Sequence, residues 1–179
     1  NAGFLLETCN VKLFYMLNIE EKIFKHITIE DNAVAVALFG EAGENLKRLE
    51  KKLGVKLDTR GNMVIVHGEA QKVYLAERLL NELIDLLHKG YVLHTTDIDY
   101  AIRAIETDRE THLADIFTDT VYISFKKKII SPKSPAQKRY IDTIRKYDIV
   151  FGIGPAGTGK TYLAMAMAVA ALSKREVDR

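Results

Sequence analysis

A glycine-rich run that ends in lysine and threonine constrains the fold of this chain more than any other feature. The run, Gly-Pro-Ala-Gly-Thr-Gly-Lys-Thr at residues 154–161, lies between the apolar stretch 148–153 and the apolar segment 162–172. Glycines leave backbone N–H groups free to close around a phosphate, and the first turn of a helix attracts anions. A strand, a glycine loop and a helix in this order predict a Walker A phosphate-binding loop.

The last two residues of the run carry the predicted chemistry. Lys160 can reach the β- and γ-phosphates of a nucleoside triphosphate, and the Thr161 hydroxyl can ligate Mg²⁺. We therefore predict ATP or GTP with Mg²⁺ as cofactors, Lys160 and Thr161 as catalytic residues, and Thr161 as the metal ligand. The residues predicted to contact the nucleotide in and beside the loop are Gly154, Pro155, Ala156, Gly157, Thr158, Gly159, Lys160, Thr161 and Tyr162.

Hydrolysis requires more than this loop. A carboxylate on a neighbouring strand must hold the Mg²⁺ complex, and a further group must orient the attacking water. Only 18 residues follow Thr161, and none can be assigned as that carboxylate. A single strand and its helix also cannot bury each other, because a parallel sheet needs helices on both faces. We therefore expect the chain to be a fragment of a larger ATPase domain.

The first 90 residues have the pattern of a small α+β domain. Turn residues and glycines separate β-branched runs from helical ones, and the predicted order is β-β-α-β-β-α. The second strand is expected at 33–36, joined to the first by a hairpin turn. The predicted elements are strands at 27–29 and 33–36, a helix with Leu46, Leu49 and Leu53 on one face, strands at 55–57 and 63–66, and a long helix over 69–89.

The remainder divides at a proline-containing segment. Two short helices are expected within 94–117 and a strand at 121–125, and the prolines of 131–135 favour a boundary because they disfavour helix and paired strand. A helix over 137–146 then leads to the glycine loop. The predicted units are 3–90, a connector over 91–130, and the start of a P-loop domain over 131–179.

Composition narrows the class of protein. The hydrophobic content of 47% is typical of a globular chain, and no apolar run reaches the length of about 18 residues that a membrane helix needs. A single cysteine, Cys9, cannot form an internal disulfide and is expected to be a buried or terminal thiol. Neither a signal peptide nor zinc-ligand spacing is present, so a cytoplasmic protein that is not attached to a membrane is expected.

Charge is distributed unevenly along the chain. Residues 1–118 contain 14 basic and 19 acidic residues, a net charge of −5, whereas residues 119–179 contain 12 basic and 5 acidic residues, a net charge of +7. An anionic partner would therefore prefer the C-terminal third, which begins with Lys126, Lys127 and Lys128. A solvated linker is the alternative interpretation of this basic stretch.

The sequence closely resembles the PhoH-like proteins. The resemblance lies in Gly-Pro-Ala-Gly-Thr-Gly-Lys-Thr-Tyr-Leu-Ala at 154–164 and Ser-Pro-Ala-Gln-Lys-Arg-Tyr-Ile at 134–141, and more weakly in Leu-Phe-Gly at 38–40, Glu-Asn-Leu at 44–46 and Ala-Glu-Arg-Leu-Leu at 76–80. It implies a cytosolic ATP-binding protein related to helicases, linked to phosphate starvation and RNA metabolism, with a RecA-like P-loop domain behind a small α+β domain. By the same resemblance, Gln137 would bind the adenine edge; a surface amide is the alternative.

A second glycine motif, Gly40-Glu41-Ala42-Gly43, is similar to the GxxG loop with which KH domains clamp single-stranded nucleic acid. The α-β-β-α order that follows agrees with a KH-like N-terminal domain and makes single-stranded RNA an expected partner. Two features differ: 34–39 favours a strand where a KH fold has a helix, and Glu41 and Glu44 repel phosphate. A simple strand-to-helix turn is the alternative.

Three functions remain open from the sequence. The first is an RNA-linked ATPase, for which Lys160→Ala should abolish turnover. The second is a P-loop kinase or nucleotide switch, which should not depend on Gln137 for adenine preference. The third is an N-terminal interaction module for an RNA-processing protein, attached to an incomplete ATPase fragment; a homo-oligomer is also expected.

Overall fold

The computed structural model describes residues 22–108, 111–123 and 129–178. Predictions on Cys9 and on Lys126, Lys127 and Lys128 fall outside these residues. The α+β class is confirmed. The elements are β1 (Lys22–Thr28), α1 (Asn32–Phe39), a 3₁₀ turn (Glu41–Gly43), α2 (Glu44–Leu53), β2 (Lys56–Arg60), β3 (Met63–Glu69), α3 (Ala70–His88), α4 (Thr95–Thr107), α5 (Leu113–Phe117), β4 (Tyr122–Ile123), β5 (Ile129–Ile130), α6 (Pro135–Lys146) and α7 (Lys160–Ser173).

The predicted second strand is wrong, because residues 32–39 form helix α1. The Asp31 carboxylate accepts a hydrogen bond from the backbone N–H of Ala33 at 2.7 Å and so caps the helix. Val34, Ala35 and Leu38 are buried on one side, at the spacing of a helical face. The order of the first six elements is therefore β-α-α-β-β-α rather than β-β-α-β-β-α.

The three N-terminal strands form one antiparallel sheet in the order β1-β3-β2. The hairpin predicted from the strands at 55–57 and 63–66 is confirmed as β2 and β3: Arg60 pairs with Met63, and Gly61 between them has a positive φ of 59°. Strand β1 pairs with β3 and not with β2, the next strand in sequence. Ile27 of β1 lies opposite Val64 of β3. The sheet thus joins segments that lie about 40 residues apart in sequence.

A large hydrophobic core lies between this sheet and the helices. It extends from Ile27 in β1 to Phe117 in α5, so the connector helices α4 and α5 belong to the same core as the sheet. Their presence confirms the two helices expected within 94–117. In the C-terminal part of the chain, a second core contains Val121, Ile141, Leu163 and Ala166. The division between the two cores falls between Phe117 and Val121.

The C-terminal part consists of a short β4–β5 pair and two helices. Helices α6 and α7 confirm the helices expected at 137–146 and 162–172. The strand expected at 148–153 is not formed, because among the residues that the structure describes no strand hydrogen-bonds to it. Its apolar side chains are largely exposed: Ile149 is 77% exposed, Phe151 85% and Ile153 96%. Among the described residues, no helix is long and apolar enough to cross a membrane.

Candidate functional site

The glycine loop of residues 154–159 leads directly into α7. Gly157 has φ 77° and Gly159 has φ 83°, a backbone region that residues with a side chain rarely adopt. Gly159 is the N-cap of α7, and its carbonyl accepts the first helical hydrogen bond, from Leu163 at 2.9 Å. The loop therefore ends where the unpaired N–H groups of a helix begin, an arrangement that attracts anions.

The Lys160 side chain folds back over the loop. Its ammonium group donates to the carbonyl oxygens of Gly154 at 2.8 Å and Pro155 at 2.6 Å, and lies 3.2 Å from the Thr158 hydroxyl. The Thr158 hydroxyl in turn donates to the Pro155 carbonyl at 3.0 Å. Three oxygen atoms of the loop thus contact the Lys160 ammonium and hold its positive charge at the centre of the loop.

Thr161 and Tyr162 follow in the first turn of α7, and both are exposed. Tyr162 is 54% exposed although it is aromatic. The loop residues predicted from the sequence, Lys160 and these two residues therefore occupy one continuous stretch of surface. The identity of their ligand is a separate question.

Gln137 connects α6 to the loop. The N-cap Ser134 and the following Pro135 begin α6, and Gln137 lies in its first turn. Its side-chain oxygen accepts from the backbone N–H of Lys133 at 2.7 Å, and its side-chain nitrogen donates to the carbonyl of Thr158 at 3.1 Å. The amide is therefore held in a fixed orientation beside the loop, 21 residues away in sequence.

A partly buried cluster, the Lys133 cluster, links α4 to the segment that precedes α6. It consists of Lys133, Asp97, Tyr91 and Phe117. The Lys133 ammonium donates to Asp97 at 3.1 Å and to the Tyr91 hydroxyl at 2.6 Å, and lies 4.9 Å from the centre of the Phe117 ring. Since only 4% of the Asp97 side chain is exposed, the ion pair is shielded from solvent on the carboxylate side.

The Lys133 cluster also organises the start of α4. Asp97 accepts from the backbone N–H of His94 at 3.1 Å and from the Tyr91 hydroxyl at 3.0 Å. Burial, followed by the charge of Asp97 and its hydrogen bond, raises the pKa of Tyr91 well above its usual range. Tyr91 therefore remains a protonated donor to Asp97 throughout the physiological pH range.

A cleft, the α4 cleft, separates the start of α4 from the glycine loop. Its volume is about 910 Å³, and it is lined on one side by Tyr91, Tyr100 and Asp97 and on the other by Gly157, Gly159 and Tyr162. Gln137 and Lys133 lie on its surface between the two sides. Both cores thus contribute to a single concave surface beside the loop.

Sequence reasoning did not identify Asp97, Tyr91 or Lys133 as parts of a site. The sequence feature that could have pointed to Lys133 is the Pro-Lys-Ser-Pro stretch at 132–135, because these prolines favour an extended backbone before α6. Among the described residues, no group of His, Cys, Asp and Glu could hold a metal ion by itself.

The second glycine motif, at 40–43, lies between α1 and α2, outside the α4 cleft. Gly40 and Gly43 have φ values of 73° and 72°, and Ala42 has φ 50°. A Cβ at Gly40 would lie 2.7 Å from the Asn45 side-chain nitrogen, so no larger residue fits there. The Lys47 ammonium donates to the Ala42 carbonyl at 3.2 Å and brings a positive charge to this turn.

Comparisons with known proteins agree on one family. The family described as PhoH-like protein matches residues 129–179. A PhoH-like protein of Mycobacterium tuberculosis is 44% identical over 146 residues, which cover 82% of this chain and 41% of that protein. PhoH-like proteins of Bacillus subtilis and Synechocystis are 36% and 33% identical over 145 residues, 81% of this chain and 46% and 44% of theirs. The chain thus spans less than half the length of these relatives, and no solved structure matches it.

Proposed function

Because the chain belongs to the PhoH-like family, we propose that residues 154–161 bind ATP together with Mg²⁺. The observation that carries the proposal is the loop itself, in which two left-handed glycines precede a helix N-terminus and a lysine ammonium lies at the centre. The free N–H groups at a helix start and a lysine ammonium therefore lie close together, and both attract a polyphosphate.

Each residue of the loop has a role in this proposal. Lys160 exchanges its loop carbonyls for the β- and γ-phosphate oxygens, and Thr161 ligates Mg²⁺ through its hydroxyl. When Mg²⁺ is bound, it neutralises charge on the phosphates. The backbone of Gly154, Pro155, Ala156, Gly157, Thr158 and Gly159 would surround the phosphates, with N–H donors at every position except Pro155, and Tyr162 would lie beside them.

Gln137 is suited to select adenine. Its side-chain oxygen and nitrogen each make one hydrogen bond to the protein, and each can make one more. The second acceptor and the second donor match the N6 amino group and N7 of adenine, whereas guanine presents two acceptors on that edge. The hydrogen bonds to Lys133 and Thr158 fix the positions of the side-chain oxygen and nitrogen of Gln137, so the amide is already oriented to pair with adenine.

The larger activity that we propose is that of a helicase-related ATPase with a RecA-like P-loop domain. The exposed side chains of Ile149, Phe151 and Ile153 favour it, because a strand of this composition is normally buried within a parallel sheet. Further strands of such a domain would cover these residues and supply the carboxylate and the water-orienting group for hydrolysis.

A link to RNA is favoured by the N-terminal unit. Its β-α-α-β-β-α order places a helix on each side of the 40–43 loop, and this supports a KH-like domain. The helical conformation of 34–39 removes one of the two features that opposed this interpretation. Lys47 beside the loop offsets part of the acidic charge of Glu41 and Glu44. We therefore propose single-stranded RNA as the partner of this loop.

The role of Thr161 gives a direct test of the magnesium–nucleotide site. The full-length protein should bind ATP more tightly with Mg²⁺ than with EDTA, and Thr161→Ala should remove that difference while leaving the affinity in EDTA unchanged. We expect a loss of about tenfold or more in Mg²⁺, because even outer-shell partners of a metal change its affinity by roughly 10- to 100-fold. Isothermal titration calorimetry measures both affinities.

Thr143→Ala is the matched control, since the Thr143 hydroxyl only donates to the Arg139 carbonyl within α6. Its affinities should equal those of the wild type in both buffers. A Thr161→Ala protein that keeps the full effect of Mg²⁺ would exclude Thr161 as the metal ligand.

A further inference from the structure

We propose that the α4 cleft binds the base and ribose of the nucleotide, so that the N-terminal unit supplies one wall of the nucleotide site. The inference rests on the proposed function of the glycine loop. It assigns a new role to α4, and above all to Tyr100, which no feature of the loop itself implies.

The α4 cleft lies directly beside the glycine loop. Gly157, Gly159 and Tyr162 belong both to the glycine loop region and to the lining of the cleft, so the two are continuous. A nucleotide whose phosphates lie in the loop therefore has the cleft beside it. Gln137, the residue suited to adenine, also lines the cleft. Its volume of about 910 Å³ lies within the range of small-molecule sites, roughly 300 to 1,000 Å³.

Two tyrosines give the cleft the surface that a base prefers. Tyr100 is 40% exposed on the α4 side and Tyr162 is 54% exposed on the loop side. Both tyrosines are therefore partly exposed, although neighbouring residues of their helices, such as Ala101 and Leu163, are buried. Planar bases stack on such rings, and stacking is favourable for every base. Hydrogen bonding to Gln137 then provides the selectivity that stacking lacks.

The Lys133 cluster explains how α4 is held in place. The backbone N–H of Lys133 orients Gln137, while the ammonium of the same residue binds Asp97 in the first turn of α4. On its other side, α4 is bound to α2 by the ion pair of Arg48 with Asp99. One residue thus fixes both the adenine-selective amide and the wall that carries Tyr100.

The experiment compares two ligands in the full-length protein. ATP uses the loop and the cleft, whereas inorganic tripolyphosphate uses the loop alone. Tyr100→Ala should weaken ATP binding about tenfold, the effect of one stacking contact, and leave tripolyphosphate binding unchanged. Tyr100→Phe should retain wild-type affinity for both, because it keeps the ring. Tyr74→Ala is the matched control, since Tyr74 is a 55% exposed tyrosine of α3 that does not line the cleft.

The outcomes separate this inference from the proposed function. If Tyr100→Ala changes neither affinity, or weakens ATP and tripolyphosphate equally, the cleft is not the base site even though the loop binds phosphate. If the wild-type protein binds neither ligand, the proposed function of the loop itself fails, and the inference fails with it. Circular dichroism of Tyr100→Ala should match the wild type, because the side chain is exposed.

Discussion

At the scale of single residues, the Gln137 side chain accepts from the Lys133 N–H and donates to the Thr158 carbonyl, and one further acceptor and one further donor remain for a base. The resemblance to the PhoH-like proteins was sufficient to predict that Gln137 binds adenine. It did not predict the orientation of the amide, because that depends on the Lys133 N–H on one side and the Thr158 carbonyl on the other. The role of Asp97 could not be predicted, since its contact with Lys133 joins residues 36 positions apart. The residues of a motif are close together in sequence, whereas the groups that orient their side chains can lie far away in sequence.

The preference of the site for adenine depends on Gln137. Gln137→Ala should reduce the preference for ATP over GTP by roughly fivefold to 100-fold, the range expected for one bidentate contact between an amide and a base. Competition of ATP and GTP against a fluorescent nucleotide measures that ratio in one experiment. Gln71→Ala, at an exposed glutamine of α3, should leave the ratio unchanged. If Gln137→Ala leaves the ratio of ATP to GTP affinity unchanged, Gln137 is a surface amide that does not bind the base.

At the scale of elements, helix α1 forms where the sequence predicted a strand. Residues 33–36 alternate alanine and valine, which favours a strand on propensity alone. Asp31 reverses that preference, because its carboxylate caps the helix and the neighbouring β1 already has β3 as its partner. The long helix α3 was predictable because its apolar face repeats over 19 residues. The 148–153 segment was predicted from composition, but a strand also requires a paired neighbour.

The helix–loop–helix around residues 40–43 yields a prediction about RNA. Lys47→Glu should weaken binding of single-stranded RNA about tenfold at low salt and reduce the log–log salt slope by about 0.7, the value for one lost phosphate contact. Filter binding across a salt series measures both quantities. The lysine is exposed and lies on α2 beside the loop, so its replacement should not unfold the domain.

Lys22→Glu changes the net charge of the protein equally, at an exposed position in β1. It should lower RNA affinity far less than Lys47→Glu and leave the slope nearly intact. Equal losses in the two variants would show that RNA responds only to overall charge, and the 40–43 loop would then lose its assigned role.

At the scale of the whole molecule, two hydrophobic cores meet at the Lys133 cluster. The sequence predicted the helices on each side and a proline-containing segment between them, but it predicted a strand at 33–36 where α1 forms. It could not predict that α4 faces the glycine loop, because no local pattern encodes a contact between Asp97 and Lys133. The Lys133 ammonium contacts Asp97 and Tyr91 across this junction, and only the Asp97 side of the ion pair is fully buried. The glycine loop is the element on which every proposed activity depends.

The most direct test of that claim is the affinity of the full-length protein for ATP·Mg²⁺ in Lys160→Ala, measured by equilibrium titration. Loss of the ammonium should weaken binding about 100-fold, because a charge-assisted contact to phosphate is lost. Lys174→Ala, at the opposite end of α7, should bind as the wild type does. An affinity in Lys160→Ala equal to that of Lys174→Ala would contradict the assignment of residues 154–161 as the phosphate-binding loop.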